Sequence, residues 1–351
     1  MINSSFSPYN SVMAMLRGER PDKIPFTVYD DMLPQCDTER TLRNRGLCIV
    51  KRMTSYKVHH PNVKSTSFHY TDENGRALVR GIYSTPFGDL STLTETVGSS
   101  WTHEFMFKTP DDYKALLYII QDTYIEPDYY NPIRTVACLG EDFIVRDQIP
   151  LEPIQAIISS YMGTETFCYE WLDNRDEVLK LYAALVDMNR KTYNVIANGP
   201  LEFANYGGNV VPQIIGRENF KKYYIPNYNE AAEILHKKGK LIGSHLDADN
   251  TIIMDLVSET DLDYIEAYDP GISPKVEEAC KSWPNKVLWL NWPSPWHLVS
   301  EEQAKIRTLD MIRQSTNSKG FIIGITEDVP EDRWKGLYVA IMDAIDEFQI
   351  G

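Results

Sequence analysis

The second half of the chain repeats one pattern, an apolar strand followed by a helix, and this repeat limits the possible fold most strongly. The apolar strand segments are FIVRD (143–147), LEFANY (201–206), KLIGSHLD (240–247), LDYIEAYD (262–269), KVLWLNW (286–292) and FIIGITED (321–328). Runs that are apolar on both faces and joined by helices are typical of a buried parallel sheet. The sequence therefore predicts an α/β fold, a (β/α)8 TIM-type barrel formed by the whole chain, residues 1–351.

The N-terminal third of the chain interrupts this pattern. IPFTVYD (24–30) adds a seventh strand, but the stretch 149–200 reads as helical, so an eighth strand must come from the N-terminal region or the barrel is distorted. Between residues 31 and 135, VKSTSFHY and ALVRGIYST alternate apolar and polar residues around a DENG turn, which predicts a hairpin. We expect 31–135 to be a β-rich insertion that forms a cap over, or beside, the mouth of the barrel.

The charge balance limits the partners of the chain. It carries 50 Asp and Glu against 35 Lys and Arg, a net charge of −15, and such a chain repels nucleic acid and anionic membrane surfaces. We expect a small-molecule substrate or a protein partner, and a homodimer is one possibility. Five cysteines without CxxC spacing favour a reducing cytoplasm. No signal peptide and no apolar run of membrane-spanning length is evident, so a cytoplasmic location is expected.

Polar residues stand at the end of almost every predicted strand. In a closed barrel these ends converge on one mouth, which is where barrel enzymes place their active sites. A single polar residue often does no more than end a strand, so the convergence of seven ends is the stronger signal. The residues at these ends are Asp30, Arg146, Asp147, Asn205, Tyr206, His245, Asp247, Glu266, Asn291, Glu327 and Asp328.

The segment Ser-His-Leu-Asp (244–247) is the sharpest local signal. Residues i and i+2 of a strand face the same way, so His245 and Asp247 are predicted to point together. Glu327 ends the last strand, which neighbours the first in a barrel. One imidazole with carboxylates suits zinc or another divalent metal, held by His245, Asp247 and Glu327. The alternative is a metal-free, hydrogen-bonded His–Asp pair that orients a substrate.

Four segments together resemble the uroporphyrinogen decarboxylase superfamily, which also contains corrinoid-dependent methyltransferases. The segments are RGERPDKIPF, TPFGDLST, SHLDAD and GITEDVPED, so the resemblance spans nearly the whole chain. It implies a distorted (β/α)8 barrel, in agreement with the strand pattern.

Two departures from the superfamily bear on the reaction. The decarboxylases carry an arginine-rich RQAGR motif near the N-terminus, whereas the matching stretch here reads FTVYDDMLPQ, without arginine. Thiol-methylating relatives hold zinc with a His-x-Cys pair and a later cysteine. Here the pair is His245 and Asp247, and the later position falls at or beside Glu327. Carboxylates in place of thiolates suit a metal that polarises an oxygen.

The resemblance implies a metal-dependent methyltransferase that moves a methyl group between a small substrate and a corrinoid (cobalamin) on a partner protein. One alternative is a decarboxylase-like lyase acting on a tetrapyrrole or other carboxylate, in which Asp30 stabilises a cation and Arg146 binds the carboxylate. The other is a non-catalytic tetrapyrrole-binding barrel. The candidate catalytic residues are Asp30, Arg146, Glu266 and Asp328. The candidate corrinoid contacts are Asn205, Tyr206, Asn209 and Asn291.

Overall fold

A computed structural model describes residues 7–96, 101–315 and 318–350 of the chain. Residues 1–6, on which part of the signal-peptide prediction rests, lie outside the described residues. The strands are β1 Phe26–Tyr29, β2 Leu47–Met53, β3 Tyr56–His59, β4 Lys64–Thr71, β5 Ala77–Thr85, β6 Gly88–Glu95, β7 Trp101–Glu104, β8 Tyr124–Pro127, β9 Phe143–Leu151, β10 Phe203–Gly207, β11 Leu241–His245, β12 Tyr264–Tyr268, β13 Val287–Asn291 and β14 Phe321–Ile325.

The helices are α1 Pro8–Leu16, α2 Asp37–Asn44, α3 Tyr113–Gln121, α4 Tyr130–Cys138, α5 Pro153–Ala156, α6 Thr164–Asp173, α7 Arg175–Asn198, α8 Pro212–Asn219, α9 Ile225–His236, α10 Met254–Ser258, α11 Val276–Ser282, α12 Glu301–Ser315 and α13 Trp334–Ile350. Within the described ranges, none of these helices combines the length and the apolar character needed to cross a membrane.

Eight parallel strands close into a barrel in the order β1-β14-β13-β12-β11-β10-β9-β2, which confirms the predicted (β/α)8 fold. Seven of these strands are the ones that the sequence pattern predicts. The eighth is β2, which lies between β1 and β9 and pairs Phe26 with Leu47 and Lys51 with Val145. The N-terminal region therefore supplies the missing strand, and the range 31–135 contains one strand of the barrel.

The chain divides into two compact units. The first holds the barrel and comprises the residues up to Ser55, Tyr129–Ile149 and the residues from Ile196 onward. The second comprises Tyr56–Asp128 and Pro150–Val195. It contains a four-stranded antiparallel sheet in the order β4-β5-β6-β7 and a separate pair of strands, β3 and β8. The predicted hairpin is the pairing of β4 with β5. That residues 31–135 act as a cap over the mouth stays a prediction.

Aromatic side chains fill the middle of the barrel. The ring of Tyr264 on β12 lies 6.1 Å from that of Phe203 on β10 and 5.8 Å from that of Trp289 on β13. Trp289 also donates a hydrogen bond of 2.9 Å from Nε1 to Thr27 Oγ1 on β1. Gly243 on β11 leaves room for this packing, because a Cβ atom there would lie 2.2 Å from the Tyr264 ring. We call Phe203, Tyr264 and Trp289 the aromatic layer.

Candidate active site at the strand ends

Two residues further along the strands, the side chains that follow the aromatic layer become polar and charged. Phe203 is followed in this way by Asn205 and Tyr264 by Glu266, since alternate residues of a strand share a face. On β11, His245 likewise follows Gly243, which makes room for the layer. Arg146 on β9 joins them and is 2% exposed, while Glu266 is fully buried. These charged side chains come from strands that lie apart in the sequence and meet at the carboxyl ends of the barrel strands.

One carboxylate oxygen, Glu266 Oε2, is the centre of this group. Arg146 Nη2 lies 3.2 Å from it, His245 Nδ1 3.0 Å, and Asn205 Nδ2 donates to it at 3.0 Å. Arg146 Nη2 also donates to the hydroxyl of Tyr29 at 3.1 Å. Although burial by itself would raise the pKa of Glu266, the charge of Arg146 and the hydrogen bond from His245 bring it below the ordinary value. We call Tyr29, Arg146, Asn205, His245 and Glu266 the ionic cluster.

Several buried polar atoms of the ionic cluster have no hydrogen-bond partner among the described residues. They include the donors Nε and Nη1 of Arg146 and the acceptors Oε1 of Glu266 and Oδ1 of Asn205. A buried polar atom without a partner costs about 1–3 kcal/mol, so native interiors rarely leave several side by side. Donors and acceptors that stand unsatisfied together are what a site for a small polar ligand requires.

His245 has carboxylates at both ring nitrogens. Nδ1 faces Glu266, and Nε2 lies 3.4 Å from Asp247 Oδ2. Burial would lower the pKa of His245, but the hydrogen bonds to Asp247 and Glu266 raise it to about 9. The imidazole is therefore protonated at neutral pH. The structure thus brings His245 and Asp247 together, although β11 ends at His245 and Asp247 belongs to the loop that follows.

A β-bulge in β12 adds a residue that the sequence pattern did not single out. The pairing of β12 with β13 shifts between Glu266 and Tyr268, and Ala267 takes a left-handed backbone conformation with φ 57°. Tyr268 packs on Trp283 at 5.4 Å between ring centres, whereas Asp269 is buried beside Asn291. The irregular strand pairing at the bulge therefore lies between two buried acidic residues, Glu266 and Asp269.

Asp269 belongs with Asp247 and Glu327 to a group that we call the acidic rim. Burial raises the pKa of Glu327, and the negative charges of Asp269 and Asp247 raise it further. The hydroxyl of Ser294 donates a short hydrogen bond to Glu327 Oε2. Burial likewise raises the pKa of Asp269, although the backbone N–H of Gly271 donates to it at 2.6 Å.

Four predicted site residues are engaged away from the ionic cluster. Asp30 pairs with Lys51 at 2.6 Å, and Asp147 accepts the backbone N–H of Ser55 at 3.0 Å. The ring of Tyr206 packs edge-on against Tyr228 of α9 at 5.0 Å, and Tyr206 is fully buried, so it lines no open surface. The side-chain oxygen of Asn291 accepts from Thr326 Oγ1 at 2.9 Å.

The last two predicted residues are exposed. Asn209 follows β10 and has a positive φ of 62°, and Asp328 follows Glu327. Sequence reasoning missed Tyr29 as well as Asp269. Alternation along β1 places Tyr29 on the same face as Thr27, and the structure shows that face to be the barrel interior, because Trp289 donates a hydrogen bond to Thr27.

Two carboxylates flank His245, where the sequence predicts a metal ion. Asp247 faces Nε2 and Glu266 faces Nδ1, and a metal ion at Nε2 would have to displace the proton there, because a metal ligand presents a deprotonated nitrogen. Within residues 7–96, 101–315 and 318–350, no three His, Cys, Asp or Glu side chains converge as a metal ion would need. A metal held by His245, Asp247 and Glu327 stays a prediction that requires these side chains to rearrange.

A methyltransferase from Methanosarcina mazei has a similar fold, with a TM-score of 0.56 and 11% identity over 98% of this chain and 99% of that chain. The GH20 modules of the pneumococcal exo-beta-D-N-acetylglucosaminidase StrH reach 0.41, with 11% identity over 95% and 86%. A sugar phosphate isomerase/epimerase from Parabacteroides distasonis reaches 0.39, with 12% identity over 93% and 94%. No protein-family model and no curated protein matches the sequence.

Proposed function

We propose that this chain is a methyltransferase that moves a methyl group from the oxygen of a small substrate to a corrinoid on a partner protein. The ionic cluster carries the proposal, because it is buried at the carboxyl ends of the strands, where barrel enzymes place their active sites, and several of its polar atoms have no partner among the described residues. The resemblance to corrinoid-dependent methyltransferases and the whole-chain similarity of fold to one methyltransferase supply the reaction class.

His245 is the proton donor in this proposal. Removal of a methyl group from an ether or alcohol leaves an oxygen that needs a proton as the carbon–oxygen bond breaks. His245 is protonated at neutral pH, and Nε2 is the nitrogen directed away from Glu266. The proton would pass from Nε2 to the leaving oxygen, which makes His245 a general acid. Asp247 and Glu266 would stabilise the charged form between turnovers.

Arg146 would bind the substrate, and Glu266 would hold Arg146 and His245 in place. The unpaired Nε and Nη1 groups of Arg146 are buried donors that suit an oxygen or a carboxylate of the substrate. Glu266 Oε2 already contacts both Arg146 and His245, so Glu266 is a positioning residue. Asn205 supports it through a hydrogen bond of 3.0 Å.

The corrinoid would supply the nucleophile that accepts the methyl group. Among its four expected contacts, Asn205 belongs to the ionic cluster and Asn209 is exposed on the loop after β10. Tyr206 and Asn291 do not fit, because both are buried and pack or bond within the barrel. We therefore expect the corrinoid to meet the loops that follow the strands.

The test is a transfer assay with free cobalamin in place of the carrier. The purified chain is incubated with reduced cobalamin and a panel of methyl ethers and methanol, and the visible spectrum of the corrinoid reports methylation. We expect methylation with at least one donor and loss of the rate in His245→Gln. The rate should fall as the pH rises through about 9, where His245 loses its proton. His236→Gln, which changes an exposed histidine of α9 that pairs with Asp263, is the matched control.

Two outcomes would contradict the proposal. No methylation with any donor would remove the activity, and corrinoid binding without transfer would favour the non-catalytic binding barrel. Elemental analysis of the wild type and His245→Ala tests the metal prediction separately. Zinc present in the wild type and absent from the variant would mean that His245 serves as a ligand and not as the acid.

A carboxy-lyase is the second candidate, and the unpaired donors of buried Arg146 favour it because a carboxylate would satisfy them. Asp30, its second predicted residue, pairs with Lys51 instead of joining the cluster. Release of carbon dioxide from a panel of carboxylates, lost in Arg146→Met, would support this reaction. Uroporphyrinogen should not be turned over, since a substrate with many carboxylates needs several fixed cations.

A further inference from the structure

Within the part of the chain that the structure describes, strand β4 of the second unit leaves one of its edges unpaired. Among these residues it pairs with β5 alone, residue by residue from Lys64 with Ser84 to Thr71 with Ala77, and it stands at the end of its four-stranded sheet. All eight of its residues are exposed. None of its side chains is fully buried, and its outer edge offers a row of backbone donors and acceptors to another strand.

The hairpin turn determines which residues face outward. The backbone N–H of Asp72 donates to Arg76 O at 3.0 Å, so Asp72 and Arg76 form a hydrogen-bonded pair. Such pairs alternate along antiparallel strands, and the next ones involve Tyr70, Phe68, Thr66 and Lys64. The remaining residues therefore direct their N–H and C=O groups to the free edge. These residues are Ser65, Ser67, His69 and Thr71.

The composition of β4 differs from that of the chain around it. The sequence KSTSFHYT contains no Asp or Glu, although the whole chain contains 50. Phe68 is 53% exposed and Tyr70 is 43% exposed, and the two share a face of the strand with Thr66. Apart from Lys64 at its start, this long edge strand has exposed aromatic residues, no proline and no acidic charge, so it has few of the features by which proteins normally prevent edge pairing.

We propose that this edge pairs with the β4 edge of a second copy of the chain. In an antiparallel pair centred on Phe68, Ser67 meets His69 of the partner subunit and Ser65 meets Thr71 of the partner subunit. All four outward residues then form hydrogen-bonded pairs. Phe68 lies opposite Phe68 of the partner subunit in a non-hydrogen-bonded pair, where side chains approach most closely.

The distribution of charge favours a second copy of the chain as the partner of this edge. Two chains of net charge −15 repel each other over most of their surfaces. Strand β4 carries Lys64 and His69 and no acidic residue, so two copies can meet there without opposing carboxylates. The pairing joins two four-stranded sheets into one sheet of eight strands, and it gives the side chains of β4 cross-strand partners.

Sedimentation velocity of the full chain over a wide range of concentrations tests the proposal. We expect a reversible dimer with twice the 40.4 kDa mass of one chain. Hydrogen exchange should show the amides of Ser65, Ser67, His69 and Thr71 becoming protected as the dimer forms. Ser67→Pro removes an outward N–H and leaves the pairing with β5 intact, so it should abolish the dimer.

Charge variants at Phe68 test the register. Phe68→Glu places two carboxylates opposite each other and should weaken the dimer by at least about tenfold. Phe68→Lys should do the same, and a mixture of the two variants should restore association as a heterodimer. Phe87→Glu is the matched control, because Phe87 is 57% exposed in the β5–β6 turn of the same sheet. A monomer at every concentration, or a dimer that Ser67→Pro leaves unchanged, would overturn the proposal.

Discussion

The aromatic layer and the ionic cluster occupy successive positions on strands β10 and β12, where one buries apolar rings and the other buries charged and polar groups. In the aromatic layer, Tyr264 packs against Phe203 and Trp289, and its hydroxyl donates to the Ala204 carbonyl at 2.8 Å. Two residues later, Glu266 is equally buried, yet one of its oxygens has no partner among the described residues. A strand that contributes a closely packed ring to the core therefore also carries a buried polar atom without a partner.

This difference bears on how the two groups contribute to the stability of the barrel. The aromatic layer gains free energy from apolar burial and close packing. The ionic cluster places charges out of water, where desolvation offsets much of their attraction, so stability alone gives little reason for it. Its unpaired donors and acceptors are accounted for when a ligand completes them. The following predictions test this contrast, from the largest expected effect to the smallest.

Glu266→Leu should destabilise the chain by about 3–5 kcal/mol, because it leaves the Arg146 charge buried without its counter-charge. The contact that is lost joins Arg146 Nη2 and Glu266 Oε2 at 3.2 Å. Urea unfolding of the two proteins measures the difference. The double variant Arg146→Met/Glu266→Leu should recover most of the loss, since no unpaired charge remains. If the double variant is less stable than Glu266→Leu, the ionic cluster supports the fold and the contrast with the aromatic layer is wrong.

Gly243→Ala should destabilise the chain by about 1–3 kcal/mol through overpacking of the aromatic layer. A Cβ atom at Gly243 would lie 2.2 Å from the Tyr264 ring, which is fully buried. Thermal unfolding measures the loss. Adding Tyr264→Leu to Gly243→Ala should cost less than Tyr264→Leu costs in the wild type. Independent, additive effects of the two substitutions would show that glycine is not required at this contact.

The fold could be predicted from the sequence because six barrel strands lie between residues 140 and 330 in one regular pattern. Strand β2 was not predicted, because LCIVKRM becomes polar toward its end and stands beside a region of exposed hairpins. The pattern also located Arg146, His245 and Glu266 at the strand ends. The prediction did not use the alternation of side chains, which places two consecutive polar residues on opposite faces of a strand. Arg146 joins the ionic cluster and Asp147 bonds Ser55, just as Asn205 joins it and Tyr206 packs against α9.

Asp269 could not be found by alternation at all. Its position depends on the bulge at Ala267, and alanine gives no sign in the sequence that its φ is 57°. A left-handed conformation is usually signalled by glycine or asparagine. The contact of His245 with Asp247 was expected from strand geometry, but β11 ends at His245 and Asp247 lies in the loop that follows. Tertiary structure, and not local pattern, brings these carboxylates together.

Stability should depend on pH through His245. Its pKa in the folded chain is about 9, above the ordinary value of 6.5, so the folded state holds the proton more tightly. The resulting stabilisation is complete below about pH 6.5 and is lost as the pH rises through 9. Burial lowers the pKa of Lys286 to about 8, which contributes with the opposite sign at high pH. The difference between the wild type and His245→Gln isolates the histidine, and a constant difference from pH 6 to 10 would show that it does not titrate this way.

Asp30→Asn should have the smallest effect, below about 1 kcal/mol. Asp30 and Lys51 also form an ion pair at a strand end, at 2.6 Å, but their side chains are 28% and 34% exposed. Water and salt screen such a pair, and either partner is readily solvated when the other is removed. The same urea unfolding experiment applies, and added salt should erase what difference remains, whereas it should leave the Glu266→Leu deficit largely unchanged. A cost at Asp30 equal to that at Glu266 would mean that burial does not set the ionic cluster apart. A small, salt-sensitive cost would show that loss of an ion pair at a strand end destabilises the chain strongly only where water is excluded from the pair. Exclusion of water is also the condition that the proposed chemistry at Arg146 and His245 requires.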